Sequence, residues 1–281
     1  MLKLLKSKLA KNTKTYLLLD EIQEIKGWEK VINELFDNKE YNVDIYLTGS
    51  NSRMLSSEIA TYLTGRYVRF EVLTLSFKEY LYFTNNNIDT HKAFLEYLRF
   101  GGFPIIHAND FDIETAYTTV LDIYQTVVFT DIVKRNNIRN IEQLERIVKF
   151  VIENIGNTFS AKSISDYLKS QNRRIDIETV YNYLSKLESA FILYRCSRYD
   201  IKGKEMLKTQ EKFYLSDMAL KYSLLGYQET GVASSLENIV YLELRRRGYT
   251  VYVGKLRRVR NRFCRRKARC KDIYSSCKRN K

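Results

Sequence analysis

The sequence contains very little proline, histidine and cysteine. Of its 281 residues, one is proline, two are histidine and four are cysteine. Three of the cysteines, Cys264, Cys270 and Cys277, fall in residues 257–281, at a spacing that matches no common zinc site. Because no cysteines have the spacing of a disulfide framework, the sequence argues against a disulfide-stapled scaffold and indicates a reducing, cytoplasmic location.

Long hydrophobic runs are also missing. No apolar stretch approaches the roughly 18 residues that a membrane-spanning helix needs, so we expect no membrane segment. Residues 1–14, MLKLLKSKLAKNTK, are basic and amphipathic but have neither the apolar core nor the cleavage site of a signal peptide. We expect a helix ahead of the first strand, with a membrane-surface helix as the alternative.

The third absence is a glycine-rich phosphate loop. No stretch of the sequence matches GxxxxGK(S/T), and no glycine precedes Tyr16. The nearest match, residues 156–163, has Ala161 at the second glycine position and follows a helical pattern, whereas a phosphate loop follows a strand. The sequence therefore lacks the loop whose backbone N–H groups and lysine cradle nucleotide phosphates.

Two short stretches carry polar side chains directly after apolar runs. Residues 16–21 read YLLLDE and residues 44–52 read DIYLTGSNS. An unbroken apolar run is typical of a parallel strand that is buried on both faces. Residues 27–37, between them, have the apolar spacing of a helix. The pattern predicts a β-α-β unit with both polar tips at the carboxyl edge of the sheet, where α/β folds bind ligands.

The first polar tip has the pattern of a Walker B motif. In this interpretation Asp20 holds Mg²⁺ through water, and Glu21 activates the water that attacks the nucleotide. Ser50 and Asn51, after the second strand, stand where AAA+ ATPases have sensor 1. The alternative is a buried strand followed by a helix whose acidic first turn is favoured by the helix dipole.

Further along, the pattern first predicts another strand and then becomes helical. Residues 67–73, YVRFEVL, alternate in polarity and predict a third strand. Residues 100–104, FGGFP, predict a turn that holds the single proline. Helical patterns then continue as far as residue 135.

The middle of the chain has the pattern of a winged helix. We expect a helix over residues 141–155, a second helix capped by Ser160, a third over 177–187, and strands over 190–198 and 212–215. The side chains expected to face DNA are Arg173 and Arg174 in the turn, and Thr179, Asn182 and Lys186 on the outer face of the third helix. The alternative is a winged helix that binds protein.

Several stretches together resemble a family of bacterial and archaeal AAA+-type ATPases that carry a C-terminal domain of unknown function. They read LLLDEIQEIKGWEKVINEL, DIYLTGSNSRMLSSEIATYLTGRYVRFEVLTLSFKEYL, FGGFP, VVFTDIVKRNNI and KFYLSDMALKYSLLG. The resemblance implies ATP and Mg²⁺ as cofactors. It implies Asp20 as the Mg²⁺ ligand, Glu21 as the catalytic base and Ser50 or Asn51 as sensor 1. It makes Arg66 an arginine-finger candidate, the alternative being a solvated turn arginine.

The resemblance also implies that the chain departs from the family at both ends. The family has its phosphate-loop strand and helix ahead of the region where this chain begins, so we expect an N-terminal truncation. In the family a helix and strand corresponding to residues 237–253 open a nuclease-like lobe. Here residues 257–281 follow, with 12 lysines or arginines and one acid. They hold a net +11 of the chain's +14.

This basic tail is compatible with a reading-frame slip. One permitted back-translation from Arg257 onward, read without its first base, encodes GESEIDFVAEKQGVKIYIQVAKET, which contains two strand-like runs. We therefore expect an out-of-frame, disordered tail that leaves residues 249–253 as an exposed edge strand. The alternatives are a nucleic-acid-binding arm and a zinc site formed by its cysteines.

The sequence predicts an α/β protein with five parts. They are a truncated AAA+-type parallel sheet (1–83), a helical connector (84–135), a winged helix (136–215), the start of a nuclease-like lobe (216–256) and the tail (257–281). The expected function is that of a fragment of an ATP-binding ATPase, without catalysis by this chain alone. One alternative is a winged-helix DNA-binding module with no nucleotide role, and another is a damaged product without function.

Overall fold

A computed structural model describes most of the chain. The described residues are 2–9, 13–38, 40–50, 63, 66–85, 89–109, 111–199, 206–227, 231–254, 263–267 and 270–274. The chain divides into two compact units. The first comprises Met1–Glu71 with Ser189–Phe191, and the second comprises Val72–Glu188 with Ile192–Lys281. Residues 54–63, whose apolar spacing predicts a helix, lie almost wholly outside the described residues.

The first unit contains a parallel β-α-β arrangement. Helix α1 (Leu2–Lys8) precedes strand β1 (Lys14–Leu19), a short 3-10 helix (Ile22–Glu24), helix α2 (Trp28–Asp37) and strand β2 (Asn42–Leu47). The two strands pair in parallel, with Leu19 opposite Leu47. The predicted parallel sheet is therefore confirmed, and its register puts the residues that follow the two strands side by side.

The two faces of this sheet differ in burial. One face packs against the helical layer, in a cluster of Leu19, Ile45 and Leu47 with Ile22, Trp28, Ile32 and Leu63. On the other face, Tyr16 is 56% exposed, Leu18 is 75% exposed and Tyr46 is 54% exposed. The prediction that the strand is buried on both faces is wrong, because within the described residues only one face has a packing partner.

Residues 67–73 do not form the predicted third strand. They run without strand or helix assignment, and no described strand pairs with them. Alternation in polarity favours an extended backbone, but a strand also needs a neighbour to which it can hydrogen-bond. The second unit begins within this segment, at Val72.

The second unit begins with a helical layer. It contains α3 (Phe77–Phe83), α4 (Thr90–Phe100), α5 (Pro104–Ala108) and α6 (Ile113–Val127), continued by a π-helical stretch (Val128–Lys134). Ser76 and Glu79 form a reciprocal capping box at the start of α3. No helix in the described ranges is both long enough and apolar enough to cross a membrane.

The FGGFP turn between α4 and α5 is held by a buried carboxylate. Asp217 is 2% exposed and accepts the backbone N–H groups of Gly102 and Ala219, each at 2.8 Å. A Cβ on Gly101 would lie 1.7 Å from Asp217 Oδ1, and one on Gly102 would lie 2.2 Å from the Leu75 carbonyl oxygen. Both glycines are therefore required by close packing.

Three helices and three strands follow in sequence order. Helix α7 (Ile141–Glu153) leads to β3 (Thr158–Phe159), α8 (Ala161–Ser170), α9 (Ile177–Ser189), β4 (Leu193–Tyr199) and β5 (Met206–Leu215). Ser160 accepts the Ser163 N–H at 3.1 Å and so caps α8, as its position predicts.

The remaining elements extend one sheet. Helices α10 (Ala219–Leu225) and α11 (Val232–Arg246) precede strands β6 (Thr250–Gly254), β7 (Phe263–Lys267) and β8 (Cys270–Tyr274). The six-stranded sheet has the order β3-β5-β4-β6-β7-β8, and β6 is parallel to β4 while the other neighbours are antiparallel.

The basic tail contains backbone structure that the sequence did not lead us to expect. Strand β6 lies between β4 and β7, so residues 249–253 are not an exposed edge among the described strands. Strands β7 and β8 both fall within residues 257–281, where we expected no folded backbone. The physical reason is that β6 offers an unpaired ladder to whatever backbone follows it, irrespective of side-chain charge. The zinc alternative needs Cys277, which lies outside the described residues.

Helix α11 contributes buried polar side chains to the same sheet. Asn238 Oδ1 accepts the Leu215 N–H at 2.8 Å, and its Nδ2 donates to the Leu215 carbonyl at 3.0 Å. Glu237 Oε1 accepts from Lys212 Nζ at 2.6 Å and from the Tyr214 hydroxyl at 2.8 Å. These polar groups are buried away from water, so the hydrogen bonds that they make with one another replace those that water would otherwise make.

Candidate functional site

The carboxyl ends of β1 and β2 meet as the parallel register requires. The Thr48 N–H donates to the Leu19 carbonyl at 3.0 Å, and the Ile22 N–H donates to the Thr48 carbonyl at 3.3 Å. These bonds continue the ladder one step past each strand. They place Asp20 and Glu21 beside the TGS sequence that follows β2.

Thr48 is the residue that joins the two strand ends. Its hydroxyl donates to the Asp20 carboxylate and accepts the backbone N–H of Glu21 at 3.2 Å. One hydroxyl therefore fixes both the orientation of the Asp20 carboxylate and the position of the Glu21 backbone. Sequence analysis placed Thr48 at the polar tip but assigned it no role. Its position one residue after a strand, opposite an acidic tip, is the signal that could have found it.

Glu21 has a constrained backbone and a held side chain. Its φ of 47° and ψ of 43° lie in the left-handed region, which residues other than glycine adopt at a cost. Its Oε2 accepts from the Ser50 hydroxyl at 3.0 Å and from the Gln23 amide. Backbone strain of this kind clusters at functional sites, where surrounding contacts maintain it.

Gln23 is a member of this group that sequence analysis missed. Its Nε2 donates to Glu21 and lies 3.5 Å from Ser50 Oγ. Its Oε1 is buried and makes no hydrogen bond within the described part of the chain. The sequence signal is the DEIQ stretch, in which Gln23 lies in the short 3-10 helix that begins directly after the two acids.

The edge offers oxygen ligands of the kind that Mg²⁺ prefers. Asp20 is exposed and Glu21 is half-buried, so their carboxylates border solvent. Across the described ranges, no cluster of three or more histidine, cysteine, aspartate or glutamate side chains is arranged to hold a metal. Asp20 and Glu21 are the side chains that would hold a Mg²⁺ ion at this edge, directly or through water.

Arg66, the arginine-finger candidate, is placed with α2. Its Nη1 lies 2.9 Å from Asp37 Oδ1, and its guanidinium lies 5.4 Å from the centroid of the Phe36 ring. Asp37 ends α2, just before β2 begins, so it lies toward the amino ends of the parallel strands. The structure therefore brings Ser50 to the acidic pair but does not bring Arg66 there. Asn51, the other sensor 1 candidate, lies outside the described residues.

The two arginines expected in the DNA-facing turn are both exposed. Arg173 Nη2 lies 3.2 Å from Glu142 Oε1 on α7. The backbone carbonyl of Arg174 accepts from the Gln143 side chain at 3.3 Å, while its own side chain is exposed. Arg173 thus has an acidic neighbour that competes with phosphate for its charge.

The candidates on α9 are distributed along the helix. Thr179 is bound to Asp176, with its N–H 2.8 Å from Oδ1 and its hydroxyl 2.6 Å from Oδ2. Asn182 is exposed. Lys186 donates to Asn136 Oδ1 at 2.8 Å. Thr179 therefore has a structural partner at the start of the helix, whereas Asn182 faces solvent.

Two family models match the chain. Residues 1–81 match an AAA domain, which supports an ATPase-like N-terminal region of the P-loop type. Residues 91–231, half of the chain, match a domain of unknown function (DUF8612). The two matches fall on different parts of the chain and leave residues 82–90 between them.

Similar sequences occur in bacteria and archaea. An uncharacterized protein of Haemophilus influenzae is 39% identical over 259 residues, which cover 91% of this chain and 64% of the relative. An uncharacterized protein of Methanocaldococcus jannaschii is 37% identical over 250 residues, covering 85% of this chain and 54% of the relative. The chain thus spans between about half and two thirds of the length of these relatives.

Among solved structures, the chain is similar to "The walker-type atpase paby2304 of pyrococcus abyssi". The identity is 15% and the TM-score is 0.47, over 74% of this chain and 62% of that one. Because the DUF8612 model matches half of its length, the chain belongs to the family defined by this domain of unknown function. In this chain the domain is preceded by a match to an AAA domain.

Proposed function

We propose that the carboxyl edge of β1 and β2 is the metal- and water-positioning half of an ATP site. The observation that carries the proposal is the Thr48 hydroxyl, which binds Asp20 and the Glu21 backbone together. A hydroxyl that orients one carboxylate leaves the other oxygen of that carboxylate available for a ligand. The match of residues 1–81 to an AAA domain supports ATP as that ligand.

Within this site Asp20 is the Mg²⁺ ligand and Glu21 is the general base. Asp20 borders solvent and therefore binds Mg²⁺ through a water molecule at little desolvation cost. Glu21 Oε2 is held by Ser50 and Gln23, which orient the carboxylate toward the edge of the sheet. Orientation of a base by neighbouring hydrogen bonds is what positioning an attacking water requires. In this scheme Ser50 acts as the sensor.

The 281 residues contain no glycine-rich phosphate loop. The proposed site of this chain therefore has the residues that position metal and water but lacks the loop that binds the phosphates. Such loops supply most of the donors for the triphosphate. We therefore expect MgATP to bind with a dissociation constant of about 1 mM or weaker. We expect no measurable hydrolysis by this chain alone.

The test is titration of the purified chain with MgATP, together with an assay for released phosphate. Asp20→Asn should remove the metal-dependent part of the binding, while Glu21→Gln should keep it. Asp44→Asn is the matched control, because Asp44 is a carboxylate of the same unit, bound to Lys14 at 2.9 Å and three residues before the end of β2. Binding that is equally reduced in all three variants would reject the assignment. Hydrolysis that disappears in Glu21→Gln would show that the site is complete.

For residues 136–215 we propose a winged helix that contacts protein. The order helix, strand, helix, helix, strand, strand from α7 to β5 supports the winged-helix fold. The Arg173–Glu142 and Thr179–Asp176 contacts favour a protein partner over DNA, since both put acidic groups beside candidate phosphate-binding side chains. If Arg173→Ala and Arg174→Ala weaken binding to duplex DNA and reduce its salt dependence, the DNA alternative is correct.

We also propose that α11 and β6 open the nuclease-like lobe.

A further inference from the structure

Lys221, on α10, is a half-buried cation whose contacts are hydroxyl groups. Its Nζ donates to Ser234 Oγ at 3.3 Å and to Ser235 Oγ at 3.4 Å, both on α11. Within the described residues no carboxylate pairs with it, and burial lowers the pKa of its amine with no acid to raise it. An ammonium that is partly withdrawn from water is disfavoured unless an opposite charge compensates it. The described residues leave Lys221 without that charge.

The backbone beside this ammonium is a glycine. Gly231 directly precedes α11, and a Cβ on it would lie 3.2 Å from Lys221 Nζ and 3.7 Å from Ser234 Oγ. Glycine therefore keeps protein side chain out of a position that contacts both the cation and the hydroxyl. Lysine and serine side chains are among the groups that bind phosphate oxygens. An oxygen of a ligand at this position would contact both groups.

Arg99, near the end of α4, is a second cation whose contacts are aromatic. Its Nε donates to the Tyr117 hydroxyl at 3.2 Å, and its guanidinium carbon lies 4.5 Å from the centroid of the Tyr227 ring. In the part of the chain that the structure describes, no carboxylate pairs with it. A cation–π contact does not neutralise the charge, and a guanidinium has four further N–H groups to donate.

Two tyrosine rings connect the two cations. The ring centroids of Tyr222 and Tyr227 are 5.1 Å apart, and Lys221 Nζ lies 5.6 Å from the centroid of the Tyr222 ring. Tyr222 is buried, whereas Tyr227 is 44% exposed. Cations that alternate with aromatic rings are typical of sites for single-stranded nucleic acid, where the cations contact phosphates and the rings stack on bases.

We propose that these side chains bind a nucleotide, with its phosphate at Lys221 and Ser234 and its base against the exposed ring of Tyr227. The phosphate supplies the negative charge that Lys221 lacks, and Arg99 adds a second positive charge beyond Tyr227. A free nucleotide and a single strand of nucleic acid both offer this chemistry. The inference is independent of the proposed ATP site, because all of these residues lie in the second unit and none is a carboxylate that could hold Mg²⁺.

The experiment measures binding in EDTA, which removes nucleotide binding that depends on Mg²⁺. A fluorescently labelled oligothymidylate of about 12 nucleotides is titrated with the full chain and followed by anisotropy. Lys221→Gln and Arg99→Gln should each weaken binding at least about fivefold, since each removes a cation that contacts phosphate. Lys221→Arg, which keeps the charge, should recover most of the lost affinity. Tyr227→Leu should also weaken binding, whereas Tyr227→Phe, which keeps the ring, should not.

Lys169→Gln is the matched control. It removes the same charge from an exposed lysine in the last turn of α8 and should leave the affinity within about twofold of the wild type. The 12 lysines and arginines of residues 257–281 are the same in both variants, so their general attraction for nucleic acid cancels in the comparison. Lys221→Gln should be at least as stable as the wild type to urea, because it removes a half-buried charge. A loss of stability that accounts for the loss of binding would make Lys221 a structural residue and overturn the proposal.

Lysine acetylation locates the ligand and identifies its source. With the wild-type chain in EDTA, bound ligand should slow the acetylation of Lys221, measured by mass spectrometry, and leave that of Lys169 unchanged. Protection by uridine monophosphate supports a free nucleotide as the ligand, and protection by the oligothymidylate alone supports a single strand. The proposal is overturned if neither probe protects Lys221, or if Lys221→Gln and Lys169→Gln bind the oligothymidylate equally well.

Discussion

The hydroxyl of Thr48, the first residue after β2, donates a hydrogen bond to the carboxylate of Asp20, the first residue after β1. The two residues are 28 positions apart in the sequence and meet only because the strands are parallel and in register. The same hydroxyl accepts the Glu21 N–H. Thr48, which follows β2, therefore holds in place the two acidic residues that follow β1.

Thr48→Val keeps the shape of the side chain and removes the hydroxyl. With its orienting hydrogen bond lost, Asp20 should bind the metal of a metal–ATP complex about tenfold more weakly. The measurement is Mn²⁺ binding in the presence of ATP, followed by electron paramagnetic resonance. Thr48→Ser, which keeps the hydroxyl, should stay within about twofold of the wild type. Equal affinity in Thr48→Val and wild type would remove Thr48 from the site.

Asn238 should be among the most sensitive positions of the second unit. It satisfies both backbone groups of Leu215, and Asn238→Ala leaves both buried without partners. We expect the free energy of unfolding to fall by about 3 kcal/mol, measured by urea denaturation. Asn109→Ala removes an exposed bond to the Ile105 carbonyl and should cost less than about 0.5 kcal/mol. Similar losses in the two variants would contradict this.

Two glycines of the second unit allow the cost of a steric clash to be compared with the cost of a positive φ. Gly102→Ala places a Cβ against the Leu75 carbonyl oxygen and should destabilise the unit by about 3 kcal/mol or more. Gly248 has a φ of 76° but open space around it, so Gly248→Ala should cost about 1 kcal/mol. Thermal unfolding of the two variants measures the difference. If Gly248→Ala is the more damaging, the close contact at Gly102 is not what requires glycine.

His107 should make the stability of the second unit depend on pH. Burial lowers the pKa of its imidazole below the usual 6.5, although its Nε2 lies 2.9 Å from the Gly101 carbonyl. A lowered folded-state pKa means that the unfolded chain binds the proton first. Stability from this group is therefore present above about pH 6.5 and is lost as the pH falls through the folded-state pKa.

The comparison of wild type with His107→Gln over pH 5 to 7.5 isolates this effect, since other groups titrate alike in both. As the pH falls, the free energy of unfolding of the wild type should decrease relative to that of His107→Gln, as measured by urea denaturation. Asn109→Ala serves as the control, because it removes no titratable group and should keep the wild-type pH profile. A parallel pair of profiles for wild type and His107→Gln would show that His107 does not titrate differently on folding.

Local sequence signals predicted the local structure well. The apolar spacing that predicted a helix over residues 27–37 corresponds to α2, and Ser160 caps α8 as its residue type indicates. Gly248 has the positive φ expected of a residue that ends a helix. Each of these depends on residues within one or two turns, so a single sequence contains the information.

The features that sequence analysis missed depend on distant partners. Thr48 acquires its role from a strand 28 positions earlier, and Asn238 from a strand 23 positions earlier. The exposure of Leu18 could not be read from its apolar run, since a run indicates what a strand can bury and not whether a neighbour covers it. The same holds for residues 67–73, whose alternation indicates an extended backbone without supplying the strand that would pair with it.

The buried polar contacts of α11 also bear on where the second unit can be divided. The DUF8612 match ends at residue 231, immediately before this helix. A polypeptide cut there would leave the buried ammonium of Lys212, a residue of β5, without Glu237, and would leave Leu215 without Asn238. An ion that loses its buried partner is strongly destabilising. The boundary that sequence likeness draws is therefore not an energetic boundary, and the smallest fragment that folds on its own must extend through α11.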